Sequence, residues 1–172
     1  MRKPSAAALF CVLLVAAPGA LAQDYLWYDV LFSVEGWPKS TRADGKLAAN
    51  YFSLVAQGPQ ASAKSNVRNL ELSLPLGDPA ALFMKAALQG DSLKTILLEA
   101  FVHGVAKQPS PAPFAVRLTD VRVNSVQLNM GGVAQVTLQA TRVEVFTAHQ
   151  SQTGAMQPGL RFFWDIKTGT GG

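Results

Sequence analysis

The sequence predicts a mainly β protein, a β-barrel or sandwich of antiparallel strands with one helix covering an opening or a flank. Apolar and polar residues alternate with a period of two along most of the chain, as they do in strands that bury one face. Helix signals occur in a single segment, residues 78–90. The chain is 49% hydrophobic and 15% charged, a balance that excludes disorder of the whole chain.

The N-terminus has the three parts of a secretory signal peptide. Arg2 and Lys3 form a positive start, residues 6–17 form an apolar core, and Ala20-Leu21-Ala22 fits the small-x-small cleavage pattern. The apolar stretch is too short to span a bilayer well. We therefore expect residues 1–22 to be a signal peptide, cleaved near Ala22 after export by the Sec route, with no stable membrane anchor left behind.

The remaining residues 23–172 are predicted to form one domain, secreted or periplasmic in a Gram-negative-type bacterium. Cleavage lowers the formal net charge from +4 to +2, which is too small an excess to favour a nucleic-acid partner. Cys11 is the only cysteine, and it leaves with the signal peptide. The mature domain then has no thiol for a disulfide, a nucleophile or a metal site, so core packing or oligomerisation must hold it together.

The alternation predicts about seven or eight strands. In the first of them Tyr28, Val30, Phe32 and Val34 share one face. The predicted strands lie within residues 28–34, 46–56, 70–74, 93–102, 114–128, 136–145 and 160–167. Predicted loops cover residues 36–45, 57–66, 104–113 and 148–159, and the tail 168–172 is expected to be disordered.

Three strand features predict how the sheet bends and packs. Residues 93–102 are apolar on both faces, which predicts burial on both sides or contact with a neighbouring subunit. The alternation slips near Thr119-Asp120 and near Asn124-Ser125, and such slips predict β-bulges that bend a sheet toward closure. Met130-Gly131-Gly132 predicts a hairpin turn.

One helix is predicted between the third and fourth strands. Asp78 is the expected N-cap, with Pro79 at the first helical position, where its missing N–H costs nothing. Ala80, Phe83 and Ala87 share the apolar face, beside Leu82 and Ala86. The helix is expected to end at a left-handed glycine, Gly90.

The sequence contains few residues that suggest catalysis. His103 and His149 are isolated, and no nucleophile-elbow, zinc-protease or phosphate-loop motif occurs. Asp120 lies at a predicted bulge, where we expect it to fix the backbone. The prediction is no catalytic residue, no cofactor and no metal.

Two further residue types bear on function. A pair of glutamates could serve a glycosidase, but each lies in an alternating strand, where a solvated position is the expectation. The tryptophans could also form a platform that stacks on a sugar. Against that option, we expect Trp164 to lie in the core and Trp37 to be either exposed as a contact residue or packed on the barrel. The residues concerned are Glu35, Glu71, Glu99, Glu144, Trp27, Trp37 and Trp164.

Read in order, several segments resemble the Hcp family, the haemolysin-coregulated tube proteins of type VI secretion. The opening DVLFSVEG of residues 29–36 resembles that family's first strand, and residues 70–79 with Gly90 resemble the strand and helix that follow. Residues 114–126, FAVRLTDVRVNSV, and 142–154 resemble two later strands and a loop. The most specific match is residues 159–166, GLRFFWDI, which is similar to the family's closing aromatic strand.

The resemblance covers nearly all of residues 23–172. It implies a small β-barrel of two antiparallel sheets with a flanking helix, subunits that join edge to edge into hexameric rings, and rings that stack into a tube or hold effector proteins. It carries over no catalytic residue. A signal peptide is unusual for this family, whose tube is assembled in the cytoplasm, and loop 57–66 is short, so ring formation is the safer expectation and stacking the weaker one.

The predicted function is a non-enzymatic structural or carrier protein that associates with itself into Hcp-like rings. Edge strands that would otherwise stay unpaired favour association, because a closed ring leaves no free edge. A monomeric periplasmic module that binds a small ligand in the barrel or at Trp37 is the alternative, and it requires an enclosed apolar pocket. A glycosidase using two glutamates is the third possibility, and it requires paired carboxylates in a cleft.

Overall fold

The computed structural model describes residues 28–40, 42, 44–57, 66–102, 111–151, 153 and 155–172. The predicted signal peptide with Cys11, and also Trp27 and His103, lie outside these residues. The structure has one helix, α1, Asp78–Gln89, and the strands β1 Tyr28–Val34, β2 Leu47–Ala49, β3 Tyr51–Gln57, β4 Asn66–Pro75, β5 Ser92–Val102, β6 Phe114–Asn129, β7 Val133–Gln139, β8 Arg142–Gln150, β9 Met156–Asp165 and β10 Thr170–Gly171.

The strands form two antiparallel sheets that share β6. One sheet has the order β10-β9-β8-β6-β5-β1-β2, and the other runs β3-β4-β7-β6. The predicted strand 46–56 is divided at Asn50, so that β2 pairs with β1 while β3 pairs with β4. The N–H of Asn50 donates to the carbonyl of Ser73 in β4, at 2.8 Å, and closes the wall of a barrel. The predicted mainly β fold with one flanking helix is confirmed.

The long strand β6 belongs to both sheets because it bends at Asp120, the only non-glycine residue with a positive φ, 49°, in the described chain. Its first part pairs with β8 and its second part with β7, along the same edge. Successive core residues are three positions apart, instead of two, on neighbouring segments of the sheet: Leu93 and Ile96, Leu118 and Val121, and Ala140 and Val143. The predicted slip of the alternation at residues 119–120 is therefore present, but the β-bulge predicted from it is absent from the described pairings, because β6 stays in register with both β5 and β8.

The second predicted bulge, near Asn124-Ser125, is present. The pairing of β6 with β7 shifts register between Val123 and Ser125. The hairpin turn follows at residues 130–132, where the N–H of Gly132 donates to the carbonyl of Asn129 at 3.1 Å. Gly132 has a φ of 84°, which a glycine adopts without strain.

Large apolar side chains fill the barrel. Phe32, Phe83, Ile96 and Leu118 have no exposed surface and belong to one core cluster with Leu72 and Val136. A smaller cluster of Leu31, Phe101 and Ala112 lies apart from it. Strand β5 contributes Ile96 to the first cluster and Phe101 to the second, so it is buried on both sides as its sequence predicts.

Helix α1 is anchored in the barrel by Phe83. The rings of Trp37 and Phe83 meet edge to face with their centroids 4.7 Å apart. The buried helix residues are Ala80, Phe83 and Ala86, so Ala86 takes the core position predicted for Ala87. Gly90 ends the helix in the left-handed conformation with a φ of 72°, as predicted.

The prediction of Asp78 as the N-cap is wrong. The cap is Gly77, which has no side chain to bond the helix, and Asp78 is already helical. Because Pro79 has no backbone N–H, the first turn of the helix has one donor fewer for a cap to satisfy. The Asp78 carboxylate instead lies in the first turn, where a negative charge favours the helix dipole.

The C-terminal part is more ordered than the sequence predicts. Strands β8 and β9 extend to Gln150 and from Met156, which shortens the predicted loop 148–159 to five residues. The tail was expected to be disordered, but Thr170 and Gly171 form β10 against Asp165 and Trp164. The backbones of Phe163 and Gly172 bond each other in both directions, at 2.9 and 3.2 Å, and hold the tail on β9.

Replacing Phe83 by alanine tests the anchoring of the helix. We expect Phe83→Ala to lower the free energy of unfolding by about 3–5 kcal/mol, because it opens a cavity between α1 and the barrel. The matched control is Leu88→Ala on the same helix, since Leu88 is 83% exposed. Urea denaturation followed by circular dichroism measures both, and equal losses in the two variants would contradict the anchoring role.

Candidate functional site

A buried carboxylate collects three arginines on the outer face of β6, β8 and β9. Glu144 is 7% exposed. Its Oε1 accepts a hydrogen bond from Nε of Arg142 at 2.9 Å and forms an ion pair with Nη2 of the same residue at 2.7 Å. Its Oε2 lies 3.3 Å from Nη1 of Arg117 and 3.6 Å from Nη2 of Arg161. We call Glu144 with these three arginines the arginine cluster.

Strand geometry brings these side chains together. Arg117 of β6 lies directly opposite Glu144 of β8, and Phe163 of β9 lies opposite it on the other side. Directly opposed residues of antiparallel strands project from the same face of a sheet. The neighbours of Glu144 in sequence, Val143 and Val145, face the core, so the cluster is on the outside of the barrel wall.

Two phenylalanine rings support the guanidinium groups. The Cζ atoms of Arg117 and Arg161 lie 5.0 and 5.3 Å from the ring centre of Phe146. The Cζ of Arg142 lies 4.3 Å from the ring centre of Phe163. A cation over an aromatic face gains about 0.5–1 kcal/mol at an exposed site, and the ring restricts the side chain's freedom. The cluster is thus both charged and held in place.

A second carboxylate lies beside Arg142. Asp165 faces Arg142 across β8 and β9. The backbone N–H of Thr168, which donates to Oδ1 of Asp165 at 2.8 Å, and its hydroxyl are the main causes that lower the pKa of Asp165 below its usual 3.8. The charge of Arg142 lowers it further. The charge of Arg142 is therefore balanced by two carboxylates of the chain, those of Glu144 and Asp165. Arg117 and Arg161 instead share a single oxygen, Oε2 of Glu144.

The other candidate surface is the free edge of β9. On one side β9 pairs with β8, and on the other the tail pairs with it at Phe163, Trp164 and Asp165 alone within the described chain. Leu160 and Phe162 are 70% and 41% exposed. Phe162 and Trp164 lie opposite Val145 and Val143, so this apolar row continues the core face of the sheet beyond the barrel.

A bulge sets the start of this edge. The register of β8 and β9 shifts between Phe146 and Ala148, and the hydroxyl of Thr147 accepts the N–H of Leu160 at 2.8 Å. A Cβ on Gly159 would lie 2.6 Å from that hydroxyl oxygen, which is closer than atoms can approach. The glycine of the GLRFFWDI segment therefore has a structural reason, because the chain must pass close to Thr147.

The four glutamates predicted as possible acid pairs are spread over the barrel. Glu35 is exposed and Glu71 half-buried. Glu99 forms an ion pair with Nζ of Lys46 at 2.5 Å. The expectation of a solvated position is wrong for Glu144, which is buried because the arginines compensate its charge.

The remaining predicted residues have structural surroundings. Trp37 is half-buried against Phe83, so the option of a loop packed on the barrel holds and the option of an exposed contact residue fails. Trp164 is half-buried in β9 and belongs to neither core cluster, so the prediction of a core position is wrong for it. His149 is exposed at the end of β8 and does not begin a loop. Asp120 lies at the bend, where the hydroxyl of Thr141 is 3.1 Å from the Thr119 carbonyl and 3.4 Å from Oδ2 of Asp120.

Two clefts formed by the described residues are open and lie outside the barrel. The larger, about 600 Å³, lies between the loop at Lys39 and the start of α1, near Lys85. The smaller, about 280 Å³, lies within the turn around Trp37 and Asp44. Within the part of the chain that is described, no group of three His, Cys, Asp or Glu residues is placed to hold a metal ion. Across those same residues no helix has the length and apolar character needed to cross a membrane.

The arginine cluster and the free edge were not predicted from the sequence. Arg117, Glu144 and Arg161 alternate with apolar residues, as any solvated strand residues would. The available signal is that Arg142, Glu144, Phe146, Arg161 and Phe163 occupy one face of two adjacent strands. That signal can be read only once the pairing of β8 with β9 and β6 is known.

These features define a class of protein: a filled antiparallel β-barrel whose candidate functional sites, the arginine cluster and the free edge of β9, lie on its outer surface. No model of a protein family matches the sequence, and no curated protein is similar to it. Solved structures do match its fold. A type six secretion system protein has a TM-score of 0.70 at 18% identity, covering 85% of this chain and all of the other, 100%.

Two further structures agree with this result. Hcp1 from Salmonella typhimurium has a TM-score of 0.64 at 14% identity, covering 84% of this chain and 98% of its own. A type VI secretion system effector from Yersinia pestis has a TM-score of 0.59 at 12% identity, covering 80% of this chain and 100% of its own. The chain therefore has the Hcp fold, and the resemblance predicted from its strands and helix is confirmed at the level of the fold.

Acidification tests the role of Asp165 in holding the tail strand. Because the folded-state pKa of Asp165 lies below 3.8, its stabilising contribution is present above that pH and is lost as the pH falls through the folded-state value. We expect the turn of residues 165–169 and strand β10 to loosen below pH 3.8. Amide hydrogen exchange at Thr168 and Gly172 measures this.

Two substitutions separate this effect from general acid unfolding. Asp165→Asn should loosen the tail at neutral pH and abolish the local acid transition, whereas Asp120→Asn should leave that transition unchanged. A tail that keeps its protection in Asp165→Asn would show that the carboxylate does not hold it.

Proposed function

We propose that this protein is a non-enzymatic structural or carrier subunit that associates with itself into rings, as a homohexamer, after export by the Sec route. The observation that carries the proposal is the free edge of β9 with its exposed apolar row, on a chain that has the Hcp fold. The proposal includes stacking of rings and the holding of effector proteins in the lumen, in the manner of a type VI secretion tube.

The free edge supports association on physical grounds. Unpaired strand N–H and C=O groups beside exposed apolar side chains favour pairing with another chain unless something covers them. Nothing described in the chain covers residues 156–162 on that side, apart from the short β10 next to them. A cyclic ring uses one such contact repeatedly and leaves no edge free.

The two other functions that the sequence allows have less support. A small-ligand module needs an enclosed apolar pocket. Instead, the side chains of Phe32, Leu74 and Leu118 fill the barrel, and none of them has exposed surface. A glycosidase needs two carboxylates facing one cleft, but Lys46 pairs with Glu99 and the arginines surround Glu144. We therefore expect no enzymatic activity and no cofactor.

The oligomeric state of the purified protein tests self-association. We expect light scattering with size-exclusion chromatography to give the mass of a hexamer at micromolar concentration, and negative-stain images to show rings. The double variant Leu160→Asp and Phe162→Asp should dissociate it, because burying two charges at the edge costs about 2 kcal/mol or more per contact, roughly 30-fold in affinity.

Leu88→Asp is the control for this experiment, since Leu88 is exposed on α1, away from β9. We expect that variant to keep the mass of the unsubstituted protein. A strict monomer before any substitution would contradict ring formation, and equal dissociation by Leu88→Asp would contradict the role of β9.

Export is tested by the N-terminus of the protein made in a Gram-negative host. We expect mass spectrometry of the periplasmic or secreted protein to show a chain that begins at Gln23. Replacing Ala20 and Ala22 by bulky residues should leave the uncleaved chain, because signal peptidase accepts small residues there. Full-length protein found only in the cytoplasm would contradict the proposed export.

A further inference from the structure

We propose that the arginine cluster is a docking site for an acidic segment of a partner protein, with Arg117 and Arg161 as the residues that bind its carboxylates. This inference concerns the outer face of β6, β8 and β9. It does not depend on the free edge of β9 or on the ring.

The cluster has more donors than its own carboxylates can accept. Each guanidinium has five N–H donors, whereas Glu144 has two oxygens. Arg142 occupies one of them and has Asp165 beside it. Arg117 and Arg161 share the other at 3.3 and 3.6 Å, and their side chains are 43% and 65% exposed, so an incoming carboxylate can reach them.

The guanidinium groups of Arg117 and Arg161 are already positioned for a further carboxylate. Both reach the same oxygen of Glu144, so they are close enough for one incoming carboxyl group to contact both. The ring of Phe146 lies against both of them. Because the side chains are held before binding, less rotamer entropy is lost when a partner arrives.

An acidic protein segment fits this surface better than a nucleic acid does. Binding along a phosphate backbone uses many dispersed cations, whereas residues 23–172 have a net charge of only +2 and the spare donors of the arginine cluster are on two arginines. Arginine binds carboxylates with directed, paired hydrogen bonds, and arginine with aromatic residues is typical of contact centres between proteins.

Glu144 acts in this proposal as a positioning residue. It holds the arginines in place but also subtracts one positive charge from the surface. Removing its charge therefore has opposite effects under two explanations. Binding by net charge alone would strengthen in Glu144→Gln, whereas binding by positioned arginines would weaken.

The experiment measures binding of a fluorescent octaglutamate peptide to the purified, exported protein by anisotropy. We expect saturable binding that weakens with salt and that falls roughly tenfold or more in Arg117→Gln and in Arg161→Gln, because each loses hydrogen bonds to a charged group. Arg122→Gln is the matched control, an exposed arginine of the same strand β6, and we expect it to bind as the unsubstituted protein does.

We also expect Glu144→Gln to bind the peptide more weakly despite its extra positive charge. Tighter binding in that variant, or an equal loss in Arg122→Gln, would overturn the proposal in favour of general charge attraction. Binding through the same arginines that is tighter to duplex DNA or to phosphatidylserine vesicles than to the peptide would overturn the assignment to an acidic protein segment. Circular dichroism and the oligomeric mass of each variant show whether the fold and the ring persist.

Discussion

The bend of β6 at Asp120 is the constraint on which the rest of the architecture depends. A single strand of sixteen residues can belong to two sheets only if its direction changes, and the positive φ of Asp120 supplies that change. The core-facing residues of β5 and β6 change parity at the same place. The two strands therefore stay paired across the bend, and the core stays continuous. Beyond β6 the sheet continues through β8 to β9, whose outer edge is largely uncovered within the described chain, and three arginines meet on one face of these strands.

Local patterns predicted most of the fold. Period-two alternation located β1, β4 and β9, the doubly apolar run located β5, and Pro79 with Gly90 bounded the helix. What they could not predict depends on partners distant in sequence. The split of 46–56 at Asn50 follows from closure of the barrel, since β2 and β3 pair with different strands. The tail strand follows from the exposed edge of β9, which offers backbone partners to residues that would otherwise be solvated.

The candidate surfaces were harder to predict for a related reason. Alternation distinguishes the two faces of a strand, but it does not say which strand lies beside it. Glu144 looks like an ordinary solvated residue in sequence and is buried because arginines from three strands converge on it. For Trp37 the sequence leaves both exposure and packing open, since it is a loop tryptophan beside a proline. The structure shows it packed, because the ring of Phe83 lies against it.

The order in which the strands can pair also follows from the topology. The hairpins β6–β7 and β8–β9 join residues close in sequence, whereas closing the wall brings Tyr28 to Val102 and Leu70 to Leu138. Contacts between distant segments form late, because loop entropy must be overcome first. The C-terminal half can therefore assemble before the barrel wall closes. The uncovered edge of β9 would then be exposed while the chain is only partly folded. An edge exposed at that stage favours association between incompletely folded chains.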